Sequence, residues 1–277
     1  MHETTSQFSA FDGLQLFERT WAPDESPRAV VAVVHGYSEH SGRYQELSQR
    51  LTDAGYAVSL FDLRGHGKSA GTRAFVRSFD EYVRDLQSFI ERLREREPDL
   101  PLFLLGHSMG GLIAALWTLK HGSTVRGLAL SAAALKVSDE IHPWLQRFSA
   151  VIGAAAPRLP TIRFNDAFLS RRAEVVQAYR DDPLVYHGRM LARTGAELVR
   201  NSREIAGRVS RLTAPLLAMH GSADRLTDPE GSRRLYEQAA SSDKTFKLYE
   251  GLYHELLHEP ERQQVMTDLV DWLRAHC

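Results

Sequence analysis

Six short apolar runs punctuate the chain, at Ala29–His35, Tyr56–Phe61, Leu102–Leu105, Gly127–Ser131, Pro215–His220 and Thr245–Tyr249. Most are apolar throughout rather than alternating, as parallel strands covered on both faces should be. Amphipathic segments at helical spacing separate them, at Tyr44–Ala54, Phe79–Arg94, Leu112–Lys120, Pro229–Ala240 and Pro260–Ala275. This alternation predicts a mostly parallel α/β sheet flanked by helices and joined by right-handed crossovers. Ahead of it, FSAFDGLQLFERTW holds Asp-Gly between two runs and predicts a hairpin. One connection is out of scale. About eighty residues separate Ser131 from Pro215, where an α/β loop takes two to six, so a helical insertion is expected there.

Composition narrows the class. The 277 residues suffice for one domain with an insertion. Lys plus Arg (34) balances Asp plus Glu (35), so no broad basic field exists for nucleic acid. The N-terminus lacks a basic segment followed by an apolar run, and nowhere do about eighteen apolar residues follow one another. A soluble, cytoplasmic protein is expected. The single cysteine, Cys277, excludes an internal disulfide and a cysteine metal cluster.

In such sheets chemistry collects at the C-terminal ends of strands. After LFLL comes GHSMGG, Gly106–Gly111, followed by a helical pattern. The G-x-S-x-G spacing puts Ser108 on a tight strand-to-helix turn as an exposed nucleophile, with the Met109 amide aimed at a developing oxyanion. The bland reading is a glycine-flanked turn. A serine needs a base and the base a carboxylate, in the chain order serine, acid, histidine for α/β-hydrolases. Asp224 follows the strand PLLAMH and His254 follows TFKLY, both at strand ends. Asp228 reads instead as the cap of a helix opening at Pro229. The second oxyanion amide is expected from Tyr37, in the loop after AVVAVVH; its side chain reads as a packing aromatic.

Two motifs compete. HELLH, His254–His258, matches a zinc peptidase signature in which Glu255 would polarise water. However, the extended pattern's third ligand is Gln264 here, and Pro260 places a helix start near Glu259, so the two histidines need not share a face. His254 is therefore expected to be the general base, with no metal and no cofactor. GHGKS, Gly65–Ser69, fails as a phosphate loop because Asp62 stands where a glycine is required, and it reads as a turn.

Taken together, HGYSEHSGRY, DLRGHGKS, GHSMGG, HGSADRLTDPEGS and YEGLYHELLHE resemble the monoacylglycerol lipase branch of the α/β-hydrolases. The resemblance runs from about Val30 to the last helix and is weakest in the insertion. It implies the triad Ser108, Asp224 and His254, an oxyanion hole at Tyr37 and Met109, and a core at 1–134 and 211–277 with a helical cap at 135–210. It implies hydrolysis of monoacylglycerols, with a general carboxylesterase, lysophospholipase or peptidase as the alternative on the same scaffold. A non-catalytic binding protein and a zinc peptidase are the remaining classes. The resemblance also implies that Glu39, Arg43 and Tyr179 bind the glycerol head. Glu39 and Arg43 read equally as a loop ion pair, and Tyr179 as a packing residue of the cap. Two positions depart from mammalian members, Tyr37 for a small residue and Thr227 for a cysteine. In PWLQRFSAVIGAAAP, the residues Trp144, Leu145, Phe148, Val151, Ile152 and Ala155 form an apolar stripe. Such a stripe reads first as core, and alternatively as a patch giving transient contact with a micelle or membrane.

Overall fold

The computed structural model describes residues 1–136 and 143–277. Eight strands form one sheet: β1 (His2–Ser9), β2 (Gln15–Ala22), β3 (Ala29–Val34), β4 (Tyr56–Phe61), β5 (Leu102–His107), β6 (Gly127–Ser131), β7 (Leu216–Gly221) and β8 (Lys244–Tyr249). Their order is β1-β2-β4-β3-β5-β6-β7-β8. The β1–β2 and β2–β4 pairs are antiparallel and every other pair is parallel. Helices α1 (Gln45–Asp53), α2 (Phe79–Arg96), α3 (Met109–His121), α7 (Pro229–Gln238) and α8 (Arg262–His276) cover the sheet. Because side chains alternate along a strand, Val30, Ala32 and Val34 of β3 join the core under α2 and α3. Val31 and Val33 join the opposite one under α1 and α8.

Three boundaries differ from the sequence pattern. The hairpin forms about Asp12-Gly13, with Gly13 at φ 83°, but its first strand reaches back through the polar HETTSQ, which lies exposed at the sheet edge. Helix α3 starts at Met109, three residues ahead of the apolar run. The last helix starts at Arg262 rather than Pro260. Residues 256–258 form a 3-10 turn before it. The buried Glu259 carboxylate explains the delay, since it accepts from the Tyr253 and Arg171 amides at 2.9 and 2.6 Å and from the Ser170 hydroxyl at 2.7 Å. That commits residue 259 to a turn.

Between β6 and β7 lie α4 (Pro143–Ala155), α5 (Ala173–Asp181) and α6 (Ala192–Ala206). Helix α4 packs closely on α6, where a Cβ on Gly153 would come within 2.8 Å of the Ala196 Cβ. Backbone bonds tie this segment to the strand ends, from the Tyr186 amide to the Ser38 carbonyl (2.9 Å) and from the Glu255 amide to the Leu169 carbonyl (2.8 Å). The apolar stripe is split rather than buried. Trp144, Phe148 and Val151 are 53%, 49% and 64% exposed, and Ala155 continues the same outer face. Ile152 turns inward, and the Leu145 side chain lies outside the described residues. No described helix is long and apolar enough to cross a membrane.

Candidate active site

Ser108 alone separates β5 from α3 and takes φ 53°, ψ −121°, a conformation that needs uncrowded neighbours. Gly110 provides the room, because a Cβ there would stand 2.2 Å from the Val34 carbonyl oxygen. Gly36 does the same for the facing loop, where a Cβ would lie 3.0 Å from the Ser108 Cβ. The segments carrying the Tyr37 and Met109 amides therefore meet at the serine. Met109 opens α3, so its N–H has no acceptor within the helix. The Tyr37 ring packs edge-on against His66, Phe164 and Tyr186 at centroid distances of 5.6, 6.2 and 6.3 Å, wedged between core and insertion.

Asp224 and His254 leave β7 and β8 on the same rim. The His254 Nδ1 lies 2.8 Å from Asp224 Oδ2, and Asp224 Oδ1 accepts from the Leu226 and Thr227 amides at 2.8 and 3.1 Å. Burial opposes the charge on Asp224. The His254 charge and the hydrogen bonds from His220 and His254 outweigh it and hold the carboxyl well below the usual range. For His254, burial works against protonation, but the Asp224 charge and hydrogen bond prevail and raise its basicity. With Nδ1 engaged, Nε2 is the nitrogen left for a proton transfer. Ser108 and His254 line one cavity together with Tyr37, Met109, Glu39 and Tyr179. Asp228 caps α7 through the Glu230 amide at 2.9 Å.

The other polar residues of HELLH serve a different cluster. Glu255 grips Arg43 with both oxygens, at 2.6 and 2.8 Å. Arg43 also reaches Glu39 at 3.1 Å, and its guanidinium carbon stands 4.9 Å from the centre of the Tyr179 ring. His258 braces the pair, with Nε2 3.0 Å from the Arg43 carbonyl and Nδ1 3.0 Å from Glu255. Burial disfavours ionised Glu255, yet Arg43 and His258 outweigh it and hold it well below the usual carboxylate range. Among the described residues no group of three His, Cys, Asp or Glu side chains is placed to hold a metal ion. The GHGKS segment is a turn around Asp62, whose carboxylate accepts from the Lys68 amide at 2.8 Å and the Ser41 amide at 2.7 Å. It thus braces the loop that carries Tyr37.

Sequence reasoning missed the parts that two residues play in this site. Glu255 was singled out only through the zinc signature, and its pairing with Arg43, 212 positions away, gave no signal. His220 did, standing at a strand end four residues before Asp224 with its Nε2 3.1 Å from that carboxylate. Thr227 also lies on this carboxylate, its hydroxyl 2.8 Å from Asp224 Oδ2. Through Phe164, Met190 and Leu198 the cavity borders a second apolar hollow under α4, lined also by Ile152, Ile162 and Val199.

A family model described as Serine aminopeptidase, S33 matches residues 25–261. The chain is 38% identical to the monoacylglycerol lipase of Mycolicibacterium smegmatis, over 97% of this chain and 96% of that one. It is 37% identical to the monoglyceride lipase of Rattus norvegicus, over 95% of this chain and 88% of the relative. Its structure superposes on the Paleococcus ferrophilus monoacylglycerol lipase with a TM-score of 0.85 at 33% identity, each chain covered completely. The chain belongs to the α/β-hydrolase superfamily, in the Serine aminopeptidase, S33 family and its monoacylglycerol lipase-like branch.

Proposed function

We propose that this carboxylic ester hydrolase cleaves monoacylglycerols to fatty acid and glycerol through an acyl-enzyme on Ser108. The observation that carries the reading is the 2.8 Å His254–Asp224 hydrogen bond, facing Ser108 across a mainly apolar cavity. In the first step Ser108 Oγ bonds to the ester carbonyl carbon while its proton passes to His254 Nε2. The carbonyl oxygen takes the charge and is held by the Tyr37 and Met109 amides. The C–O bond to glycerol then breaks, with His254 returning the proton to the leaving alkoxide. Water repeats the sequence on the acyl-enzyme and frees the fatty acid. Asp224 stays ionised throughout and keeps His254 in the Nδ1–H tautomer.

In this reading residues 135–210 form a cap over core residues 1–134 and 211–277, and the acyl chain lies in the hollow under α4. Glu39, Arg43 and Tyr179 form the polar end that receives the glycerol hydroxyls. A panel of monoacylglycerols, diacylglycerols, lysophospholipids and simple esters tests it, with Ser108→Ala as control. Monoacylglycerols should give the highest kcat/KM. A clear preference for lysophospholipids or short simple esters would contradict the substrate class while leaving the chemistry intact.

Tyr179→Phe keeps the ring on Arg43 and removes only the hydroxyl. It should lower kcat/KM for a monoacylglycerol by about fivefold and leave the p-nitrophenyl ester of the same acyl chain unchanged. Equal losses on both substrates would make Tyr179 a packing residue.

The outer face of α4 is the surface that meets the lipid aggregate. Trp144, Phe148 and Val151 stand exposed on it, an arrangement that rests on a micelle or bilayer without needing basic charge. Phe148→Asp with Val151→Asp should reduce activity on micellar long-chain monoacylglycerol and spare a soluble short-chain ester. Parallel loss of both activities with a lower Tm would contradict that role.

A further inference from the structure

His220 sits at the carboxylate that orients His254, and the reaction as described makes no use of it. It is 0% exposed near the end of β7. Its Nε2 lies 3.1 Å from Asp224 Oδ2, the same oxygen that His254 Nδ1 approaches at 2.8 Å. Its Nδ1 lies 2.8 Å from the Ser232 hydroxyl, which is buried in α7. An ionised carboxylate only accepts hydrogen bonds, so the His220 Nε2 facing Asp224 carries a proton. In the neutral ring Nδ1 is then the acceptor, and Ser232 donates to it. The result is a directed chain from Ser232 through His220 to Asp224, meeting His254 at one oxygen. Asp224 Oδ1 is already engaged by two backbone amides. Rotation of the carboxylate would break bonds on both oxygens.

We propose that His220 is a positioning residue for ester hydrolysis, acting through Asp224: its Nε2–H fixes the carboxylate for His254 and draws off part of the negative charge that His254 would otherwise receive alone. The proposal rests on the reading of Asp224 and His254 as acid and base. It carries a sign. Without the His220 donor, the Asp224 charge acts more strongly on His254 and makes it a stronger base, so the acid limb of the kcat/KM profile moves to higher pH. The other groups around His254 are His107, whose ring lies 4.8 Å away, Thr227 at 3.3 Å from Nδ1, and the Glu39–Arg43–Glu255–His258 cluster. Thr227 Oγ1 also lies 3.2 Å from His220 Nε2, so a shift reports on Asp224 where it appears in His220→Leu and is reversed in His220→Gln, which keeps a donor beside Thr227.

The test uses His220→Leu, which removes the donor, and His220→Gln, whose amide keeps one at the Nε2 position. On a soluble ester, His220→Leu should lower kcat about 10- to 100-fold with KM within about twofold and raise the acid limb by about half a unit or more. His220→Gln should recover most of both. Wild-type kcat and an unshifted limb in His220→Leu, or equal defects in Leu and Gln, overturns the proposal. If His220→Leu does not fold, the equally donor-free His220→Met carries the test, with the same fall in kcat and the same upward limb. An unshifted limb there overturns the proposal too. Asp224→Asn separates the two readings. If it keeps full activity, the acid–base assignment fails; if it is inactive while His220→Leu is normal, only the role of His220 fails.

Discussion

His254→Ala is expected to lower kcat by about 10⁴- to 10⁶-fold, while His258→Ala lowers it no more than about tenfold. The two histidines of HELLH are four residues apart, and their surroundings separate them. His254 is bonded to Asp224 and opens onto the Ser108 cavity, whereas His258 is spent between the Arg43 carbonyl and Glu255. In the proposed mechanism, losing the first removes the proton acceptor for the serine. Losing the second leaves Glu255 still bound to Arg43 through two hydrogen bonds. A chelator should change neither rate. Equal losses in the two variants, or activity removed by a chelator and restored by zinc, would contradict the serine mechanism.

Arg43→Ala should destabilise the fold by about 3–5 kcal/mol, because it removes the guanidinium between two buried carboxylates, Glu39 and Glu255, and leaves His258 as the basic side chain on Glu255. Removing one partner of a buried pair leaves the whole desolvation penalty of the other. For a chain of this size the loss corresponds to a Tm lower by roughly 10 °C. Arg43→Lys should fall between, since an ammonium keeps the charge but cannot match both Glu255 oxygens in a planar fork. Thermal melts of the three proteins decide the matter. An Arg43→Ala protein with the parent Tm and a defect confined to monoacylglycerols would mean that Arg43 serves the substrate alone and holds no structure.

The central parallel strands were legible because burial on both faces leaves little room for polar residues, so Ala29–Val34 and Leu102–Leu105 read as apolar blocks. Strand β1 was not, because an edge strand with one neighbour and wet faces carries almost no apolar pattern, and HETTSQ resembles a loop. Ser108, Asp224 and His254 could be selected because each falls at a strand end in a fixed order. The Arg43 clamp was hidden, since pairing between a loop near residue 40 and a turn near residue 255 depends on how the sheet brings its strand ends together. The stripe on α4 shows a related limit. Helical spacing identifies an apolar face, but which side is covered depends on the partner, and here Gly153 and Ala196 draw α6 against a different side from Trp144, Phe148 and Val151.

The central claim is that acyl transfer passes through the Ser108 hydroxyl. The most direct measurement is to treat the protein with a fluorophosphonate, digest it, and locate the added mass while following monoacylglycerol hydrolysis in the same sample. One phosphonyl group on the peptide containing Ser108, formed in step with complete loss of activity and absent in Ser108→Ala, is the expected result. Hydrolysis that survives full labelling of Ser108, or an adduct on another residue that tracks the lost activity, would contradict it.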